Sequence, residues 1–185
     1  MSERRYPAAR EFGQITRILG VDPAQVLRRA RLPVGFLSGT PRGVTAEVFF
    51  RLWTALIEET GDPLAPVRFA ETAVSHEMME PACRALIYSP DLATALDRLA
   101  LFKQVVVPAR LILTHQPGHV AVTMQPVTPG IHVPASFHLS HFAWLLFMAG
   151  RLTSAPMRAL WTSLPDGGPH GLPDRFGEVR RGPPM

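Results

Sequence analysis

His132, His138 and His141 fall within ten residues, and the last two stand three apart in a stretch that is otherwise almost wholly apolar. On a helix that spacing puts both imidazoles on one face, where they could hold two positions of a tetrahedral metal site with His132 as a third ligand. No Asp, Glu or Cys occurs between Gln125 and Arg158 to complete it. The simpler reading is a set of polar breaks in an apolar helix, or titratable groups at an interface, and no metal is expected. His115 and His119 flank Pro117-Gly118 and can meet across a turn, where imidazoles are usually solvated. Cys83, the single cysteine, has no neighbour that would activate a thiolate and reads as a small buried apolar residue. Ser75-His76-Glu77 holds the residue types of a hydrolase triad, but adjacent residues cannot face one another in that geometry. The glycines from Gly35 to Gly43 are spaced by four with no lysine after them, so no phosphate loop is present. With no assembled reactive set, the chain is expected not to be an enzyme and to need no cofactor.

Charge narrows the partners. The chain has 185 residues, 19 basic and 15 acidic, with a pI near 10.2. Six arginines and two acids lie in residues 1–10 and 175–185, which leaves 11–174 with thirteen of each sign. A DNA-gripping surface needs clustered cations to neutralise phosphates, and the neutral interior supplies no surplus. Eighteen of the nineteen basic residues are Arg, Lys103 being the exception. One thiol suits a reducing compartment, and no signal-peptide core follows the N-terminal arginines, so a cytoplasmic protein is expected. The most apolar run, residues 137–150, is shorter than the roughly 20 residues a membrane span requires.

The elements that must position any site follow from periodicity. Residues 12–19 carry a helical stripe ending at Gly20, and Asp22-Pro23 opens a short helix to Ala30. A breaker-rich loop, 32–43, precedes an amphipathic helix over 45–60 that Gly61 ends. Asp62-Pro63 caps the next helix, towards Val74, and residues 82–87 suit a buried helix. Ser89-Pro90-Asp91 starts another, with Ser89 as the expected cap and Leu92, Leu96, Leu99 and Phe102 on one face. From Arg110 the period becomes alternating. Runs 110–116 and 119–125 form a hairpin about Pro117-Gly118, pairing Gln116 with His119, Leu113 with Val122 and Leu111 with Met124. The opposite face, Ile112, Thr114, Ala121 and Thr123, is mixed in polarity and faces either solvent or a cavity. Ser136 is the expected cap of an apolar helix over 137–152, and 157–164 suits a third strand. The fold expected is α+β, mostly helical, with a small antiparallel three-stranded sheet packed on helices. Residues 1–10 read as a basic tail, 11–165 as the domain, and 166–185 as a loose Gly/Pro-rich tail.

Several of these segments resemble the N-terminal effector-binding domain, of the arabinose-binding-like class, of AraC/XylS-type bacterial transcription regulators. The helix Ala46–Glu59 runs into Thr60-Gly61-Asp62-Pro63-Leu64, similar to that family's Thr-Gly-Asp-Pro turn. Ala85-Leu86-Ile87-Tyr88-Ser89-Pro90-Asp91-Leu92, with Ala95-Leu96, resembles a second segment. The hairpin over 111–124 and a late helix leading to 160–165 come in the family's order, so the likeness covers roughly 15–165. These are caps and core positions. They point to a fold family and not to a ligand, and residues 75–81 lack the glycine-rich turn expected there.

The resemblance implies a regulatory domain that binds a small-molecule effector and forms a homodimer. DNA would be reached only through a helix-turn-helix domain that this chain is expected to lack. The effector pocket is expected between the mixed hairpin face (Ile112, Thr114, Thr123) and the helices carrying Phe102 and Trp144, with Arg84 or Arg110 for an acidic group. The dimer interface is expected on the apolar helix at His138, His141, Phe142, Leu145 and Met148. A small metal-dependent enzyme built on the three histidines, and a dimerisation module without a ligand, are the alternatives.

Overall fold

A computed structural model of the chain describes residues 4–39, 43–75, 86–165 and 167–182. Among the described residues, six complete α-helices and two two-stranded sheets make an α+β fold. The helices are α1 (Ala9–Leu19), α2 (Pro23–Arg29), α3 (Ala46–Thr60), α4 (Ala65–Ser75), α5 (Leu92–Val106) and α6 (Ala135–Thr153).

Local chemistry explains most boundaries. Gly20 and Gly61 take the left-handed conformation that ends α1 and α3. Asp22 and Thr45 cap α2 and α3 by accepting from the N–H groups of Ala24 and Val48. The turn after α3 is held by side chains. The Thr60 hydroxyl accepts from Asp62 N–H at 3.1 Å, Asp62 Oδ1 accepts from Leu64 N–H at 2.9 Å, and Arg68 pairs with the other Asp62 oxygen. Two expected caps move. Asp91, not Ser89, caps α5 by accepting from Thr94 N–H at 2.7 Å, because Asp91 holds the extended backbone that precedes the first turn. Ser136 lies inside α6, whose flanking residue is Pro134, and its hydroxyl accepts from Trp53 Nε1 at 3.1 Å. Of the helix expected over 82–87 only Leu86 and Ile87 are described, both helical; Cys83 and residues 76–80 lie outside the described residues.

The hairpin forms in the expected register. Strand β1 (Ala109–Gln116) pairs antiparallel with β2 (His119–Pro126), Leu111 opposite Met124 and Gln116 opposite His119. Leu111 and Met124 are buried, while Ile112, Thr114 and Thr123 face solvent.

The expected three-stranded sheet is not formed. The third strand is the short β3 (Trp161–Leu164), which leaves the hairpin alone and pairs in parallel with β4 (Glu178–Arg181). Parallel pairing needs a long connection, and residues 165–177 provide one that sequence polarity alone marks as a tail. Phe176, on a 3-10 turn over Asp174–Phe176, is wholly buried, and Thr162 Oγ1 donates to its carbonyl at 2.6 Å. The expected loose tail is therefore, through residue 182, part of the packed structure. At the other end Tyr6 is also fully buried and bridges to Val44.

Two apolar clusters result. The larger joins α1, α2, α3 and α5 with the hairpin and α6, and centres on edge-to-face aromatic contacts of Phe137 with Phe49, Phe50 and Trp53. The smaller sets Val67 and Ala70 of α4 and Leu139 and Ala143 of α6 around Leu164 and Phe176. Helix α6 lies between them and is covered on most sides by its own chain, which accounts for a sequence apolar almost all round.

Candidate functional site

The expected pocket is dispersed. Phe102 is 46% exposed on α5, and Ile112, Thr114 and Thr123 lie on the solvent face of the hairpin. Arg110 is exposed and donates to the Gln125 side chain at 3.3 Å. Arg84 lies outside the described residues. Trp144 stands apart from that face, in a crevice between α5 and α6 lined by Leu92, Leu96, Leu99 and Met148. The crevice encloses about 10 Å³, barely room for one water. Lys103 Nζ sits 5.2 Å from the centre of the Trp144 ring, a cation–π contact at its edge.

The expected interface residues lie largely inside the chain. His138 and Met148 are 3% and 2% exposed, and Phe142 and Leu145 pack against the cores. His141 Nδ1 lies 3.0 Å from the Phe137 carbonyl and its ring stacks on Phe137 at 4.1 Å. His138 Nε2 is buried without a partner among the described residues. Burial, with a smaller push from His132, lowers the His138 pKa to about 4. Burial also holds His141 well below the ordinary imidazole value, and the nearby Lys103 charge adds to the effect. Both imidazoles are neutral at physiological pH. Among the described residues no three His, Cys, Asp or Glu side chains form a metal-ligand set, so His132, His138 and His141 do not converge. His115 pairs with Asp97 of α5 at 3.1 Å and does not meet His119.

A larger concavity than the α5–α6 crevice lies elsewhere. A cleft of about 530 Å³, within the range of small-molecule sites, opens between the C-terminal half of α6 and the segments that precede β3 and β4. Its floor is Leu146, Phe147 and Gly150 of α6, and its walls are Ser154–Arg158 and Asp174–Arg175. Three local features build it. Ser154 adopts the left-handed conformation and turns the chain back on α6, with Ala155 N–H donating to the Gly150 carbonyl at 3.2 Å. A Cβ on Gly150 would stand 3.2 Å from the Ala155 carbonyl oxygen, so a small residue is needed there. Phe176, buried in the smaller core, fixes the 3-10 turn and thereby presents Asp174 and Arg175 at the cleft mouth. The Arg175 guanidinium lies 4.2 Å over the Phe147 ring, and its backbone carbonyl accepts from Ala159 N–H at 2.8 Å.

Arg158, Arg175, Asp174 and Phe147 are absent from the sequence-based pocket. The signal that could have found them was Phe176, a lone large aromatic in a Gly/Pro-rich stretch, which only burial explains.

Comparison with known proteins adds one match. A family model described as the N-terminal arabinose-binding domain of the AraC transcription regulator covers residues 20–180. It extends past β3 to β4, consistent with the packed C-terminal segment. None of the curated proteins matches the chain.

Proposed function

Because the chain belongs to the family of N-terminal arabinose-binding domains of AraC transcription regulators, we propose that it is a non-enzymatic sensor that binds a small-molecule effector, self-associates, and biases a DNA-binding domain. The family match over 20–180 carries this reading. The described helices include none long and apolar enough to cross a membrane.

An effector acts by its unequal affinity for two arrangements of the protein, and the shift it produces cannot exceed that difference. Self-association is assigned to the outer face of α5. Leu101, Phe102 and Val105 are 66%, 46% and 57% exposed there, whereas His138 and Met148 are not accessible to a partner.

Thermal unfolding against a metabolite panel tests the reading. A compound that binds only the folded state stabilises it by about 2.7 kcal/mol at a hundred times its Kd. The stabilising compound is expected back unchanged after incubation. Its conversion, or a panel without any stabilising member, would count against a sensor.

A further inference from the structure

We propose that the cleft beside the C-terminal half of α6 is the effector site and that it takes an apolar molecule carrying a carboxylate. The proposal rests on the effector-binding reading and goes further by placing the site and naming the ligand chemistry.

Shape and charge both point there. The cleft combines an apolar floor, Leu146 and Phe147, with Met157 in its wall, and two guanidinium groups, Arg158 and Arg175, at its rim. Neither arginine forms an ion pair or side-chain hydrogen bond among the described residues, so their donors remain available to a ligand. Arg175 is already oriented, because its guanidinium rests on Phe147 and its backbone is tied to Ala159. A planar guanidinium held in this way can donate two parallel N–H bonds to a carboxylate with little further ordering. Asp174 is the one acid among the described lining residues, against two guanidinium groups, and supplies an acceptor for a ligand hydroxyl or amine. A neutral sugar would leave the guanidinium groups without a matching anion and would cover Leu146 and Phe147 with hydroxyls. An apolar body with one carboxylate satisfies both.

The position also suits a sensor. The floor belongs to α6, which borders both cores, while the walls come from the segment before β3 and from the end of the long connection to β4. A ligand spanning them would tie the C-terminal segment to the central helix.

The test uses the whole chain and 3-phenylpropionate, with its neutral amide as the control. Amide NMR titration at millimolar probe is expected to shift Phe147, Gly150, Ala155 and Arg175, and calorimetry to give an affinity at least about tenfold above that of the amide. Arg158→Gln and Arg175→Met are each expected to weaken binding by about tenfold or more while the far-ultraviolet circular dichroism is unchanged. If Arg175→Met does not fold, Arg158→Gln, which alters an exposed side chain, decides the matter. Equal binding of acid and amide, no binding of the acid, undiminished binding by the folded variants, or shifts confined to other residues would each overturn the proposal. The sensor reading fails separately. It would survive a neutral compound that stabilises the protein from another site, and would fall with the proposal if no metabolite of the panel bound.

Discussion

His138 is buried in an apolar environment, and the effect on its imidazole can be measured. Its imidazole is neutral in the folded protein, with a pKa near 4, and returns to an ordinary value near 6.5 when unfolded. The unfolded state therefore binds the proton first. Stability is fully present above about pH 6.5 and declines as the pH falls towards 4, by about 1.4 kcal/mol per pH unit for this one group. Urea unfolding at pH 6.5 and pH 5 should show the unaltered protein losing about 2 kcal/mol more than His138→Gln over that interval. Equal losses would mean that the imidazole is hydrated. At the same scale, Asp91→Ala is expected to lower the melting temperature more than Ser89→Ala, since Asp91 caps α5 by accepting from Thr94 N–H, whereas the Ser89 hydroxyl accepts from Arg98 outside the first turn. Sequence made a helix start here plain but not which oxygen performs the cap. Ser, Pro and Asp in succession offer two registers, and the extended backbone at Asp91 decides between them.

Elements were legible wherever their signal was local. Periodicity and glycine stops mark α1 and α3, and alternation about Pro117-Gly118 gives the hairpin register residue for residue. The pairing of β3 was not legible, because its partner lies beyond a connection of breakers and supplies only four residues, all exposed. Nor was the cleft, which depends on Phe176 reaching a core formed by distant helices. Phe176→Ala is accordingly expected to destabilise the protein by about 3–5 kcal/mol, as measured by denaturant midpoint, with a visible loss of β4 protection in hydrogen exchange. Gly177→Ala should cost about 3 kcal/mol. Its φ of 65° disfavours a side chain, and a Cβ there would clash with the Ala159 carbonyl oxygen. Near-wild-type stability in either variant would show the C-terminal segment to be dispensable.

For the molecule as a whole, the question is which apolar surface is left over once the chain has satisfied itself. The apolar helix that most resembled an interface is used internally, so Phe142→Arg is expected to unfold the protein. Leu101→Arg with Val105→Arg is expected instead to leave folding intact and to convert a dimer to monomer in sedimentation velocity. A monomeric parent protein would remove the self-association proposal. Sequence suggested the fold class and the family from caps and core positions, but a cleft built at long range was out of its reach.

The parallel pairing of β3 with β4 has a consequence for the order of events during synthesis. Residues 161–164 emerge before the strand they join and before the phenylalanine that seals the smaller core. Until then α4 and α6 present an open apolar seam, and only the larger cluster can settle. Ribosome-bound chains ending near Pro165 should accordingly remain protease-sensitive around α4, and those extended well past Arg181 should become resistant, so that the domain becomes competent to sense only after its final strand has been made.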